Sequence, residues 1–179
     1  MKTVIVACFA FLHVTMAAAQ QPVIEVNALE SEGVTAIRAT HRIDAPQQVV
    51  WSVLTDCPGG KRILPHFESC RILARDPSGR WDLREHVMNP PLLPRVRTVA
   101  RNQFEPPRRL SFRLVEGNLR VSEGAWTLTA EGKATRVNYE ARLALGFSVP
   151  RFLLEAAIRR DFMAMLLALD ETSQNEVRR

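Results

Sequence analysis

Residues 119–150 read LRVSEGAWTLTAEGKATRVNYEARLALGFSVP and lead into an almost wholly apolar segment that runs to Leu169. Trp126, Leu128 and Ala130 alternate with Thr127 and Thr129; beyond Glu131-Gly132-Lys133, Val137, Tyr139, Ala141, Leu143 and Leu145 alternate with Asn138, Glu140 and Arg142. A period of two on both arms, closed by a glycine turn, predicts a hairpin with one dry face. Ser148 and Pro150 then signal a helix start, and 150–172 holds no further glycine or proline. A helix there reaches about 33 Å, enough to span a sheet. Its wheel sets Arg151, Glu155 and Arg159 on one stripe and Leu153, Ala157, Ala164 and Ala168 opposite. Small residues on that face either let the helix lie flat on the strands or leave room between helix and sheet.

Upstream, Ile37, Ala39, His41 and Ile43 alternate with polar neighbours, which predicts a first strand. Asp44 and Pro46 can open a short helix carrying Val49, Val50, Val53 and Leu54, which stops at Pro58-Gly59-Gly60; a second helical piece around Lys61 to Leu64 stops at Pro65. Six strand candidates follow, Ser69 to Arg75, Arg80 to Val87, Val96 to Phe104, Leu110 to Glu116, Leu119 to Ala130 and Arg136 to Leu145. Their connections are short turns, so the sheet is expected to be antiparallel and the class α+β. Residues 20–33 are polar without a period and read as an N-terminal lead-in, and 173–179 as a C-terminal tail.

Residues 1–19 combine Lys2, an apolar run from Val4 to Val14 and Ala17-Ala18-Ala19, the layout of a cleavable secretory signal. Its apolar core is too short to cross the roughly 30 Å hydrocarbon layer. The expected product is periplasmic or secreted, 160 residues long after losing 19 of 179, and a monomer with one domain over 34–172. The whole chain carries 24 basic and 19 acidic residues, net +5. Arg95, Arg97, Arg101, Arg108, Arg109, Arg113 and Arg120 cluster between residues 95 and 120. Such a stripe attracts anionic headgroups or a protein partner, or it simply keeps a sheet soluble; export argues against nucleic acid.

Cys57 and Cys70 remain after cleavage. An even pair in an oxidising compartment, at the end of the first helix and the start of the second strand, predicts a disulfide; two buried free thiols are the alternative.

In this order the motifs resemble the START-like (SRPBCC) superfamily, which includes polyketide cyclase/dehydrase-type and coenzyme-Q-binding proteins. The resemblance covers roughly residues 34 to 170. It rests on Ile43-Asp44-Ala45-Pro46-Gln47-Gln48-Val49-Val50-Trp51, on Leu64-Pro65-His66-Phe67, on Gly124-Ala125-Trp126-Thr127-Leu128, and on Thr135-Arg136-Val137-Asn138-Tyr139 leading to Val149-Pro150. It implies a helix-grip fold, a seven-stranded antiparallel sheet wrapped around the long C-terminal helix with an apolar cavity between them. It implies no particular reaction, since most relatives bind hydrophobic ligands and only some are enzymes.

His41, His66 and His86 lack the spacing of a metal site, no nucleophile elbow or phosphate loop is present, and no cofactor is implied. Three polar residues fall on expected core faces: His41, Glu85 beside Trp81, Leu83 and Val87, and Arg160 on the inner side of the helix. Each is either a residue that snorkels to water or a polar contact for a ligand. Phe112, Trp126, Tyr139, Leu153, Ala157 and Ala164 complete the expected ligand-binding set. In Met88-Asn89-Pro90-Pro91-Leu92-Leu93-Pro94 three prolines exclude a sheet interior. Met88, Leu92 and Leu93 then either plug the core or form a portal rim on an anionic membrane. The expected function is binding of a hydrophobic small molecule or lipid without chemical change. The alternatives are a cyclase- or hydratase-like enzyme using His41, Glu85 or Arg160, and a protein-interaction module using the arginine-rich strands.

Overall fold

The structure is a computed structural model that describes residues 21–28, 33–91 and 93–179. The expected signal segment and Leu92 lie outside the described residues. Strands β1 (Val23–Ala28) and β2 (Thr35–Ile43) are followed by α1 (Gln47–Thr55) and a 3-10 helix (Pro58–Arg62). Then come β3 (Phe67–Arg75), β4 (Trp81–Met88), β5 (Val96–Glu105), β6 (Arg109–Gly117), β7 (Leu119–Glu131), β8 (Ala134–Leu145) and α2 (Arg151–Val177). All neighbours are antiparallel in one sheet of order β1-β2-β8-β7-β6-β5-β4-β3. The short turns between β3 and β8 produce that meander. Gly124 lets β7 and β8 close, because a Cβ there would stand 2.3 Å from the Glu140 carbonyl oxygen.

The described residues hold eight strands, one more than expected. The addition is β1, inside the stretch read as a lead-in. It alternates over only a few residues, with Val26 buried and Ile24 half-buried while Val23, Glu25 and Asn27 face out, too short a run to register as a period. Its free edge is capped by Arg159, whose guanidinium donates to the carbonyls of Ile24 (2.9 Å) and Val26 (3.3 Å). Blocking an edge in this way prevents further strand addition.

Helix α2 also departs from expectation. It continues past Thr172 to Val177, and it buries Ile158, Met165, Leu166, Leu169 and Ser173 with Leu154 and Phe162 packed alongside. The predicted inner face was Leu153, Ala157 and Ala164, but Leu153 and Ala164 are exposed and only Ala157 turns partly inward. The two faces differ by one residue, about 100° on a wheel. From Phe152 to Leu169 the helix is apolar on nearly every side, so its composition gives little direction. For the same reason Arg160 does not face the interior. Its side chain is 59% exposed and donates to Asp161 at 2.8 Å.

The core gathers Ile37, Ala39, Ile43, Val50, Trp51, Leu128, Val137, Leu166 and Leu169 where α1 and the C-terminal half of α2 meet β2, β7 and β8. Cys57 and Cys70 form a disulfide with Cα atoms 5.5 Å apart, inside the range of about 4.4–6.8 Å that the bond requires. It ties the start of the 3-10 helix to β3.

Candidate functional site

Helix α2 packs against α1, β1, β2 and the 3-10 helix, and between it and the inner face of strands β4 to β8 lies a cavity of about 390 Å³. The wall from β6, β7 and β8 is aromatic. Tyr139 sits 4.4 Å from the Trp126 ring, 4.8 Å from Phe162 of α2 and 6.1 Å from Phe112, centre to centre. Tyr139 is buried, and burial pushes its phenol up, so it stays neutral. Helix α2 adds Leu154, Ala157 and Ile158. The 3-10 helix and the loop behind it add Gly60, Ile63, Leu64, Pro65 and His66, the segment closed by the disulfide. Met88, Pro90 and Leu93 line the cavity from the end of β4 and the connection to β5, and Leu119 and Leu145 from β7 and β8.

The fourth wall is polar and comes from β4 and β5 through Arg84, His86, Thr98 and Asn102. Arg84 and Asp82 form a buried ion pair at 2.6 Å, their side chains 7% and 5% exposed. The second Asp82 oxygen accepts from Asn102 Nδ2 at 2.7 Å, and Arg84 Nη1 donates to the Thr55 carbonyl at 3.2 Å. A guanidinium held this way keeps its charge in a dry place because each partner is itself satisfied. Burial, then the adjacent Arg84 charge, push the His86 imidazole down to about 4, with Asp82 opposing. It is therefore neutral at pH 7, with one ring nitrogen able to donate and the other able to accept. Among the described residues its ring has no hydrogen-bond partner.

At the edge of the cavity His66 Nε2 lies 3.4 Å from Asp161 Oδ1 and 3.5 Å from Arg160 Nη2. His66 has φ 59°, a left-handed conformation that costs a non-glycine residue about 1 kcal/mol or more. Its carbonyl is held by the Asn89 amide at 2.8 Å.

Of the residues singled out in the sequence, Phe112, Trp126, Tyr139, Ala157, Met88 and Leu93 line the cavity. Leu153, Ala164 and Arg160 stand outside it. His41 is buried but elsewhere. Its Nε2 lies 3.1 Å from Asp170 Oδ2 and pins α2 to β2, while His41 Nδ1 and Ser173 Oγ are buried without partners among the described residues. Although burial works to raise the Asp170 carboxyl, hydrogen bonds from His41 and Gln174 hold it below its usual range. Glu85 is on the opposite, outer face of β4, where Arg71 (2.8 Å) and Arg97 (2.7 Å) clamp it and hold its carboxyl low.

That placement corrects the reading of β4. Trp81, Leu83, Glu85 and Val87 face outward, and Asp82, Arg84, His86 and Met88 face in. The strand alternates correctly, but its polar side is the inner one. The visible signal was the pairing of Asp82 with Asn102 and His86 with Thr98, which makes two adjacent strands polar on one shared face. Among the described residues no group of histidine, cysteine and carboxylate side chains is arranged to hold a metal.

The family described as polyketide cyclase / dehydrase and lipid transport matches residues 43–170. The chain belongs to this family, within the START-like superfamily. Solved structures of the same fold include a STAR-related lipid transfer protein from Xanthomonas axonopodis, with TM-score 0.74 and 16% identity over 89% of this chain and 97% of that one. The Zhui aromatase/cyclase from Streptomyces sp. R1128 gives TM-score 0.69 at 20% identity, covering 80% and 96%. A protein from Thermus thermophilus gives 0.67 at 25%, covering 79% and 98%. No curated protein matches the chain significantly. As a START-like domain the chain has the fold of hydrophobic-ligand binders, among which lipid-transfer proteins and cyclases both occur.

Proposed function

We propose that this protein binds an amphipathic small molecule or single-chain lipid between sheet and α2 without transforming it. The observation that supports this reading is a cavity with three apolar walls and one polar wall whose charges are already neutralised by protein partners. Apolar area supplies the affinity, roughly 25 cal/mol per Å² buried. Arg84, His86 and Asn102 supply hydrogen bonds to one end of the ligand and so its orientation. A volume of about 390 Å³ lies near the small end of ligand pockets, which favours one chain or a few fused rings over a two-chain lipid.

The protein is proposed to act in the periplasm or outside the cell. The signal-like N-terminus and the disulfide support this assignment, and among the described residues no helix is long and apolar enough to cross a membrane. Met88 and Leu93, both lining the cavity, are proposed as the rim through which the ligand passes, in transient contact with an anionic membrane. The enzyme alternative retains one supporting observation. His66 and Asp161 form a histidine–carboxylate pair at the cavity edge, in the arrangement that general bases use.

A fluorescence titration with a polyene fatty acid tests the binding reading. Wild type is expected to bind it saturably, and Asp82→Leu combined with Arg84→Met, which leaves no unpaired buried charge, to retain a hydrocarbon probe while losing about tenfold for the fatty acid, the value of one charge-assisted hydrogen bond. Equal binding of both probes to both proteins would rule out an oriented ligand. Chemical conversion of a polyketide-like substrate, abolished by His66→Gln, would replace the binding reading with the enzymatic one.

A further inference from the structure

The outer face of the sheet carries a second concavity, of about 840 Å³, on strands β2, β5, β6, β7 and β8. Its floor is formed where outward side chains are short, at Ala36, Ser111 and Ala125, with Gly124 beside them. Its rim consists of long ones, Arg38, Arg101, Arg109, Arg113 and Arg142. Side-chain length makes the hollow. Two glutamates, Glu123 and Glu140, share it and reach three of the arginines at 3.4 to 3.5 Å. Among the described residues Arg101 and Arg109 have no carboxylate partner. Arg101 lies over the Trp81 ring at 4.2 Å, and Arg109 donates to Thr127 Oγ1 at 3.3 Å. The hollow thus holds five guanidinium groups against two carboxylates, and Val115 at its border is 61% exposed.

We propose that this hollow docks an acidic, extended polypeptide segment of a partner protein. Crossing from β5 to β2 covers four strand spacings, about 19 Å, which an extended chain spans with about six residues. Acidic side chains would pair with Arg101 and Arg109 and compete for the loosely held Arg113 and Arg142. Backbone amides of the segment would donate to Glu123 and Glu140, and a small apolar side chain would cover Val115. The same two glutamates repel a continuous phosphate backbone, which disfavours nucleic acid. A flat bilayer cannot reach a floor recessed between arginine side chains. Charge complementarity of this kind sets association rate and specificity.

Fluorescence anisotropy with a labelled peptide alternating glutamate and alanine, at low ionic strength, tests the proposal. Arg101→Glu with Arg113→Glu is expected to weaken binding about tenfold or more. Arg75→Glu with Arg179→Glu, the same charge change at two exposed positions outside the hollow, is expected to leave it within about twofold. Hydrogen exchange on wild type with bound peptide should slow at residues 109–113 and 123–125, a readout independent of how the variants fold. Three results would overturn the assignment: no binding to wild type, equal loss in both variants, or a DNA duplex or phosphatidylglycerol vesicles outcompeting the peptide at the hollow.

Discussion

Arg84 and Asp82 occupy a place where a hydrophobic pair would be expected, in the inner face of a sheet. Their pairing is complete enough that removing one partner is worse than removing both. Asp82→Ala leaves Arg84 as an uncompensated charge, and an unfolding free-energy loss of about 3–5 kcal/mol is expected by chemical denaturation. Asp82→Leu combined with Arg84→Met should cost clearly less, and equal losses would mean that the pair is not buried as described. His86 carries a pH signature. Its imidazole sits at about 4 against an ordinary 6.5, so the folded protein resists a proton that the unfolded chain accepts. Stability is full above about pH 6.5 and falls as pH drops towards 4, by roughly 3 kcal/mol in total. The loss from Asp170, whose carboxyl is held low, begins only below the ordinary aspartate value. A His86→Leu variant should therefore show a flatter stability profile between pH 6.5 and 4, and an unchanged slope would contradict the burial of His86. Trp126 and Tyr139 could be read as inner residues because they sit in a hairpin whose alternation obeys the usual polarity. Arg84 and His86 could not, since they belong to a strand that inverts it, and a binding wall is where such an inversion is expected.

Among the elements, those specified by local chemistry were legible. The β7–β8 hairpin follows from its alternation and Gly132, the start of α2 from Pro150, and the disulfide from the nearness of a helix end to a strand start. What depended on distant partners was not. The short strand β1 is held by β2 and by Arg159 from a helix far along the chain. The rotation of α2 is chosen by which of its many apolar residues finds a partner on β1, β2 and α1. The disulfide closes the segment that carries Gly60, Ile63, Leu64, Pro65 and His66 into the cavity wall. Replacing Cys57 and Cys70 together by serine should lower stability by about 3 kcal/mol, the loop-closure value for a ring of this length. The change would be read from denaturation midpoints with and without reductant. A wild-type protein whose stability is indifferent to reductant would show that the bond does not form in solution.

For the molecule as a whole, the sheet with its lid helix makes a container. The helix rests on β1 and β2 at one edge of the sheet and on α1 and the 3-10 helix, and it stands off strands β4 to β6, so that a cavity persists where close packing would otherwise close it. The fold and its cavity could be read from the order of elements together with the family resemblance, whereas the helix wheel alone left open whether α2 lies flat on the strands. Ligand binding in this cavity is checked by native mass spectrometry of the purified protein. Wild type is expected to carry a single hydrophobic adduct, released on denaturation, and Ala157→Trp, which fills the cavity from α2, is expected to be empty while retaining the fold. An empty wild type that takes up no lipid, or an adduct that persists unchanged in Ala157→Trp, would show that the space between sheet and α2 is not a ligand site.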